Sequence, residues 1–345
     1  MKGITFGDYH SYDDFHLILG SQEIGSPDIK ENKIKIEGAD GDLDFTDFFG
    51  SPKYENVRHK FNFSTIVPQA EFLSLFSTVK NAIHGKKLRV ILDDDPLFYY
   101  TGRCFVSKFT NEKGIGTVSV ECDCEPYKYK IEKTYEIANL GGKNMLDLDS
   151  GVINPSGGWT KTETGYSFSR GNIAGGTFVY FTIPVKKGIT YCFSAIGSHG
   201  TENILTYVYF DKMYGKAVGS NFNGVDITFT AAKNGNYIFA IVVNSTTASA
   251  EFVNLMLEIG STATEYEPFD SKEKTISVFL ENIKKPAIPT IISQHDITIT
   301  NGEETLVANE GEPLVSPEFQ LSEGINQFNI TGTGLVAFEW QEGGL

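Results

Sequence analysis

The chain has 345 residues, of which 40% are hydrophobic, and a formal net charge of −15 at pH 7. Since a single hydrophobic core stops growing near roughly 250–300 residues, this length predicts two or three domains. The acidic balance argues against nucleic acid as a partner, because phosphate binding needs clustered Lys and Arg side chains.

No segment approaches the roughly 20 consecutive apolar residues of a membrane span, so no membrane span is expected. Residues 1–15 contain no apolar signal region, so export by that route is not expected either. The four cysteines are too few for a disulfide scaffold of this length. That cysteine usage is typical of a chain folded in a reducing cytoplasm.

The first 63 residues read as short strands and turns. Apolar and polar residues alternate around 15–19 and 33–36, which indicates strands. Asp40–Gly41 is a tight-turn dipeptide, because Gly accepts a positive φ and Asp bonds its own backbone. A second turn signal lies at Gly50–Pro52, and 58–63 alternates again. The pattern predicts a strand, an acidic loop between two turns, and a second strand.

The order of residues between Ile36 and Phe63 resembles the N-terminal domain of siphophage distal tail proteins. The shared features are a Gly-Asp-Gly turn, then Leu43–Asp44, and then Tyr54 and Arg58 opening a strand. The resemblance implies that residues 1–130 form the ring-forming hub domain. Asp44 and Arg58 are candidates either for a local ion pair that braces the loop or for a contact between subunits of a ring.

The strongest helix signal follows Pro68. Apolar residues at spacings of three and four from Phe72 to Ile83 form one stripe, Pro68 suits the first turn, and Gly85 suits the position after the last turn. We expect this helix to lie across a sheet formed by 88–92, 97–109 and 116–124. Residues 93–96 then form a hairpin tip.

Residues 140–269 are rich in Gly, Ser, Thr and Asn and carry short strand patterns separated by turn signals. The predicted strands are Tyr166–Ser169, Thr177–Ile183, Thr190–Ile196, Leu205–Phe210, Asp226–Thr230, Tyr237–Val243 and Phe252–Glu258. Many short strands without helix indicate a β-sandwich or jelly roll. The opening at 144–146 with Trp159, and the closing stretch 255–269, resemble carbohydrate-binding-module-like sandwiches of phage and cell-wall proteins.

Strand alternation resumes after Ser271. The stretches 321–326 and 331–334, with a last strand to Trp340, resemble the end of the galectin-like C-terminal domain of distal tail proteins. We therefore predict a mainly β fold of β-sandwiches with one significant α-helix in the N-terminal domain. The predicted domains are 1–130, an interrupted galectin-like sandwich of 131–139 plus 270–345, and an inserted jelly roll at 140–269.

Several clusters of residues are candidates for chemical sites. Asp93–Asp95 is either a calcium site or a solvated hairpin tip. Cys122 and Cys124 lie two residues apart, so on a strand they share a buried face with Val118 and Val120, and a zinc site that includes Cys104 is the alternative. The six histidines form no metal-type pair, and no nucleophile motif is present. No catalytic residue, metal or cofactor is predicted.

Sugars bind proteins through flat aromatic faces combined with polar hydrogen-bonding groups, so the aromatic residues of the middle segment are the candidates for a binding site. Those considered are Trp159, Tyr166, Tyr180, Tyr207, Tyr209 and Tyr214. Tyr207 and Tyr209 share one strand face and Tyr214 follows in the loop, so these three and Trp159 are the predicted carbohydrate-binding residues. The alternative is that they pack the sandwich core, as expected for Phe338 and Trp340.

The resemblance implies a structural role without enzymatic activity. In that family the N-terminal domain forms a homo-hexameric ring in the virion tail tip or baseplate, assembled in the host cytoplasm. The expected partners are the tail tube protein, the tail-associated baseplate protein, a receptor-binding protein and host cell-wall polysaccharide. The alternatives are a cell-wall hydrolase and a bacterial surface adhesin with a carbohydrate-binding module.

Overall fold

The structure of the chain is a computed structural model. It describes residues 2–48, 50–65, 67–112, 114–154, 157–173, 175–199, 204–222, 226–244, 247–302 and 304–345. Up to Lys130 the described elements are β1 (Ile4–Phe6), β2 (Tyr9–His10), β3 (Ile18–Ile24), β4 (Lys33–Lys35), β5 (Asp42–Asp44), β6 (Val57–Thr65), α1 (Phe72–Ile83), β7 (Lys87–Leu92), β8 (Phe98–Glu112) and β9 (Ile115–Lys130). A 3-10 turn at Gln69–Glu71 precedes α1.

From Thr134 to Ile259 the strands are β10 (Thr134–Asn139), β11 (Val152–Ile153), β12 (Trp159–Lys161), β13 (Tyr166–Ser169), β14 (Thr177–Val185), β15 (Thr190–His199), β16 (Ile204–Phe210), β17 (Ala217–Phe222), β18 (Ile227–Thr230), β19 (Gly235–Val243) and β20 (Ser249–Ile259). The remaining strands are β21 (Lys274–Asn282), β22 (Thr290–Ser293), β23 (Ile297–Asn301), β24 (Glu304–Ala308), β25 (Gly324–Gly332), β26 (Leu335–Trp340) and β27 (Gly343–Gly344). Two 3-10 turns lie at Leu148–Ser150 and Pro317–Phe319.

The chain divides into two compact units. The first consists of Met1–Lys133, Asn282–Pro286 and Gln341–Leu345, and the second of Thr134–Glu281 and Ala287–Trp340. The predicted fold class, mainly β with one α-helix, is confirmed over the described residues. The predicted division into three domains stays a prediction.

The first unit is a twisted sheet covered by the helix. The strand order is β2-β1-β7-β8-β9-β6-β3, and β27 pairs with β9 at its far end. The apolar stripe of α1 packs on this sheet, and the Phe76 ring stacks on Phe109 of β8 with centroids 4.5 Å apart. Gly85 follows the helix with a φ of +76°, which a glycine adopts without strain. The predicted helix, its C-terminal end and its contact with the sheet are therefore confirmed. Pro68 does not lie in the first turn of α1, because it caps the 3-10 turn at Gln69–Glu71 and the α-helix begins at Phe72.

The second unit contains two β-sandwich cores. In one, the sheets β11-β14-β19-β16-β17 and β12-β13-β20-β15-β18 enclose large apolar side chains such as Phe181, Phe193, Phe239 and Phe252. In the other, β10-β26-β22 and β21-β25-β23-β24 enclose a second cluster that includes Phe338. We call the first of these the middle sandwich. All seven strands predicted between 166 and 258 are present in it.

Candidate functional site

One outer face of the middle sandwich carries a group of aromatic side chains, which we call the tyrosine face: Phe178, Tyr180, Tyr207, Tyr209 and Tyr214. Side chains alternate across a strand, and the intervening residues Val179, Phe181 and Val208 are fully buried in the core. Tyr180, Tyr207 and Tyr209 therefore face away from that core. The tyrosines predicted from the sequence are brought together here.

The rings of the tyrosine face contact one another. Tyr207 and Tyr209 stack with centroids 5.4 Å apart and an interplanar angle of 22°. On β14, Phe178 lies 6.0 Å from Tyr180, and Phe178 also meets Tyr214 edge-on at 5.9 Å. Burial of Tyr209, together with the nearby Tyr207 and Tyr214, raises the pKa of its phenol, so this group stays neutral at physiological pH.

Ala240 forms the floor between two of these rings. It pairs with Tyr180 of β14 on one side and with Tyr207 of β16 on the other. The methyl group of Ala240 is fully buried, and both tyrosines pack against it. The row Tyr180–Ala240–Tyr207 thus places a small apolar residue between two half-buried phenols. Such a surface offers flat apolar contact with hydroxyl groups at its margins.

Tyr214 stands at the rim, in the loop between β16 and β17. It is 72% exposed, and its backbone has a φ of +61°. A positive φ is uncommon for a bulky residue and costs free energy. In the same loop Asp211 also has a positive φ, of 68°. The loop therefore holds an exposed aromatic side chain in a strained backbone conformation beside Phe178.

Two of the aromatic residues considered from the sequence lie in the core instead. Trp159 is only 7% exposed, packs on Phe168 and Phe252, and donates its indole N–H to Thr177 Oγ1 at 3.3 Å. It belongs to the sheet opposite the tyrosine face, because β12 pairs with β13. Tyr166 is also buried and donates its hydroxyl to the Leu148 carbonyl. The site therefore lacks Trp159. Tyr209 is also only 6% exposed, but it lies on the tyrosine face and stacks on Tyr207.

Tyr180 is not among the carbohydrate-binding residues predicted from the sequence, and neither are Phe178 and Ala240. The alternation of Phe178, Tyr180 and Thr182 along β14 places them on one face, which the period-two pattern could have indicated. In the sheet, β19 lies between β14 and β16 and pairs with both. Short-range sequence patterns do not specify this pairing, so they do not show that Tyr180 and Tyr207 are neighbours.

The second candidate surface is a hairpin in the first unit. Among the described strands, β4 and β5 pair only with each other, and all six of their residues are exposed. Ile34 and Leu43, which lie opposite each other, are 52% and 47% exposed. We call residues 29–54 the arm. Its base is closed by a bridge between Ile29 and Tyr54, and the Lys30 N–H donates to the Lys53 carbonyl at 2.7 Å.

Asp44 and Arg58 do not form a pair in the described structure. Asp44 Oδ1 accepts the backbone N–H of Thr46 at 2.9 Å, and the Thr46 hydroxyl and N–H lower the pKa of this exposed carboxyl. Arg58 is exposed at the start of β6, and no carboxylate of the described residues forms an ion pair with it. Of the two alternatives, the local ion pair is absent here, and the contact between subunits stays a prediction.

The acidic hairpin tip and the cysteines have ordinary structural roles. Asp93 accepts from the Gly3 N–H at 2.7 Å, Asp94 pairs with Lys2, and Asp95 pairs with Lys128 at 2.7 Å. Each carboxylate thus already has its own donor in the protein. Over the described residues, no group of three His, Cys, Asp or Glu side chains is arranged to hold a metal ion.

Cys104, Cys122 and Cys124 are free thiols with no exposed surface, and Val118 and Val120 are equally buried. A hydrogen bond with Cys104 and burial raise the pKa of Cys122, and burial raises that of Cys124 to about 12. The Cys122 and Cys124 thiols are therefore protonated at neutral pH. The predicted buried row is confirmed.

Among the described helices, none is long and apolar enough to cross a membrane.

The chain was compared with protein-family models, with curated proteins and with solved structures. No protein-family model matches the chain, and no curated protein matches it at a significant level. Among solved structures, the chain is similar to the Dit (gp 19.1) protein of phage SPP1, described as a paradigm of the hub adsorption apparatus in phages that infect Gram-positive bacteria. That match covers 100% of both chains with 11% identity and a TM-score of 0.41.

A second match is a triple jelly-roll protein from the turret assembly of an archaeal virus, with 11% identity and a TM-score of 0.13. It covers 93% of this chain and 90% of that one.

Proposed function

We propose that this chain is a structural, non-enzymatic subunit of the baseplate hub of a phage or prophage tail. Its copies close into a hexameric ring that joins the tail tube to the tail-tip apparatus. The tail tube protein, a tail-associated baseplate protein and a receptor-binding protein are its neighbours in the virion, after assembly in the host cytoplasm. The sequence resemblance between Ile36 and Phe63 supports this proposal, and the geometry of the arm supports it independently.

The arm is the observation that carries the ring proposal. A two-stranded hairpin that packs on nothing else is at best marginally stable in water. The β4–β5 hairpin buries none of its residues, yet it exposes Ile34 and Leu43 side by side. Contact with a neighbouring copy would supply the missing apolar partner, and a head-to-tail contact closes into a ring when the rotation between successive copies adds up to a full turn. Asp44 and Arg58 are proposed to lie in the same subunit interface.

We expect the double substitution Ile34→Asp and Leu43→Asp to break the ring, since it places two charges where apolar side chains are to be buried. Light scattering of the purified protein measures the outcome. The parent chain is expected to contain six copies and the arm variant one. Ile325→Asp is a matched control, because Ile325 is 74% exposed on β25, within a four-stranded sheet. A parent chain that stays monomeric, or an arm variant that still forms rings, contradicts the proposal.

We further propose that the middle sandwich binds host cell-surface saccharide through the tyrosine face. Tyr207 and Tyr214 are the proposed contacts, with Tyr180 added to them, and the largely buried Tyr209 supports Tyr207 by ring stacking. The supporting observation is the row Tyr180–Ala240–Tyr207, where phenol rings flank a small apolar floor. Single sugar contacts are weak, but six copies on one ring multiply the strength of attachment by avidity.

The double substitution Tyr207→Ala and Tyr214→Ala is expected to reduce binding of the purified protein to host cells at least about tenfold, because avidity amplifies the loss at each copy. Binding is measured with fluorescently labelled protein on cells and on isolated cell walls. Phe279→Ala is the control, since Phe279 is an exposed aromatic residue on β21, outside this face. Equal cell binding by the double variant and the parent contradicts saccharide binding here, and a cleared zone on a cell-wall gel would instead favour a hydrolase.

A further inference from the structure

The sheet opposite the tyrosine face carries a cleft of about 450 Å³. Its base is formed by Ser194 and Ala195 of β15 and by Asn254 and Met256 of β20, and one wall is the segment 263–266 that follows β20. The neighbouring residues Phe193 and Leu257 point into the sandwich core and are fully buried. The cleft therefore opens on the outer side of this sheet. Its volume lies in the range of small-molecule sites.

The backbone under the cleft is irregular. The pairing of β15 with β20 shifts between Ser194 and Ile196, so one strand carries an extra residue at this point. Asn254, within β20, has a φ of +56°. Asn tolerates this left-handed conformation better than most residues, but it is not a regular strand conformation. Bulges of this kind re-aim side chains and often lie beside binding sites.

The segment 263–266, which forms one wall of the cleft, is held in place by hydrogen bonds to Glu258. Glu258 is 2% exposed, and its carboxylate accepts both the backbone N–H of Thr264 at 2.9 Å and the Thr264 hydroxyl at 2.7 Å. Hydrogen bonds to a buried carboxylate are strong and directional. The segment that presents Glu265 and Tyr266 to the cleft is therefore held in place before any ligand arrives, which lowers the entropy cost of binding.

Some polar groups of the cleft have no partner within the protein. Ser194 is only 7% exposed, and no hydrogen-bond partner of its hydroxyl occurs among the described residues. This hydroxyl is not among the buried unpartnered atoms, so it opens to the cleft and is available to a ligand there as donor and acceptor. Asp226 and Glu265 also line the cleft, and neither forms an ion pair with a described Lys, Arg or His.

We infer that this cleft is a second saccharide site and that it takes a pyranose ring without negative charge. The inference rests on the proposal that the middle sandwich binds saccharide. Tyr266 supplies an aromatic surface, while Ser194 and Asn254 supply a hydroxyl and an amide for ring hydroxyl groups. The described lining contains two carboxylates and no Lys, Arg or His side chain, so it excludes phosphorylated sugars and uronic acids by repulsion.

Ligand-observed saturation-transfer NMR tests this site, with N-acetylglucosamine and glucuronic acid as the two probes. Because the tyrosine face could also bind a sugar, the measurement uses the Tyr207→Ala, Tyr214→Ala variant of the full chain. In this background N-acetylglucosamine is expected to give a signal and glucuronic acid none. Adding Ser194→Ala is expected to weaken binding about two- to tenfold, the effect of one lost hydrogen bond.

Asp226→Lys is the decisive substitution. Asp226 is exposed at the rim, so the change leaves the fold intact while it reverses one charge of the lining. This variant is expected to gain a signal from glucuronic acid. The inference is overturned by the absence of any N-acetylglucosamine signal, by equal signals for the two probes, or by signals that neither substitution changes. Loss of cell attachment through the tyrosine face is a separate result, so the two proposals can fail independently.

Discussion

His59 is a buried titratable residue in the first unit. It lies on β6 with no exposed surface, and its Nδ1 accepts the Gly25 N–H at 3.2 Å. The proton of the neutral ring is then on Nε2, which has no hydrogen-bond partner among the described residues, while the ring lies edge-on to Tyr100 at 4.3 Å between centroids. Burial lowers the His59 pKa from 6.5 to about 4. The folded protein therefore holds this imidazole neutral.

This residue predicts a pH dependence of stability in a defined direction. The unfolded chain binds a proton at His59 as the pH falls below 6.5, whereas the folded chain does so only near pH 4. The free energy of unfolding should therefore decrease as the pH falls from 6.5 to 4, by about 3 kcal/mol from this group. Denaturant unfolding of the parent and of His59→Gln at pH 7 and pH 4 measures it, and the variant should lack this part of the decrease. An identical decrease in both proteins contradicts the prediction.

At the scale of elements, a histidine connects the opening of the middle sandwich to the turn between β22 and β23. His295 Nε2 lies 3.0 Å from Asp147 Oδ2, and its Nδ1 lies 3.7 Å from Glu310 Oε2. The adjacent Asp147 carboxylate outweighs burial and raises the His295 pKa. Burial acts to raise the Asp147 pKa, but the close His295 ring and the hydrogen bond from the Asp149 N–H together lower it. The charged pair is therefore the favoured state.

Because the folded pKa of His295 is raised, its contribution to stability is complete below pH 6.5 and is lost as the pH rises through the folded value. We expect local opening around Leu148–Ser150 to become easier at pH 9 than at pH 6 by about 1 kcal/mol, since the pair is partly exposed. Hydrogen exchange, corrected for the intrinsic pH dependence of exchange, measures this change. His295→Gln should show equal protection at the two pH values, and a parent protein with equal protection would contradict the prediction.

The elements that the sequence predicted are those with a strong local pattern. The apolar stripe of α1 and the seven alternating strands between 166 and 258 required no long-range information. Strand β17 was not predicted, because Ala217–Phe222 contains Gly219, Ser220 and Asn221 and forms an edge strand that depends on pairing with β16. The same limit applies to the tyrosine face. Period two places Tyr207 and Tyr209 together, but the register through Ala240 and the burial of Trp159 depend on tertiary packing.

At the scale of the whole molecule, the first unit is assembled from three separate stretches of sequence. Its sheet receives β27, in which Gly343 pairs with Tyr129 and Gly344 with Lys128. The sequence patterns predict that 341–345 belongs to the galectin-like domain. They do not predict β27, because a strand of two glycines has no periodicity to recognise. Gly343 in particular sits against Lys285 and Tyr127, and a Cβ there would lie 3.1 Å from the Lys285 side chain.

The 341–345 segment is held by polar contacts as well as by the strand pair. Glu342 is 4% exposed and pairs with Lys130, and its carbonyl accepts the Lys130 N–H at 3.1 Å. Gly343 accepts the Lys285 N–H at 2.9 Å, and Gln341 donates to the Lys130 carbonyl. Lys285 in turn donates to the Tyr129 hydroxyl, which donates to Glu125 at 2.7 Å. The segment thus completes the hydrogen bonding at the C-terminal end of β9.

Deletion of 341–345 should therefore destabilise the first unit, although this segment lies far along the chain from β9. At about 0.5–1.5 kcal/mol for each of four lost hydrogen bonds, the expected decrease in the free energy of unfolding is about 2–6 kcal/mol. Removal of Leu345 alone is the control. This residue is 49% exposed and lies outside β27, so its loss should change stability by less than about 0.5 kcal/mol. Hydrogen exchange of 126–130 locates the effect. Equal protection of those amides in the deletion variant and the control would mean that β27 is not part of the sheet in solution. The first unit would then fold without the 341–345 segment.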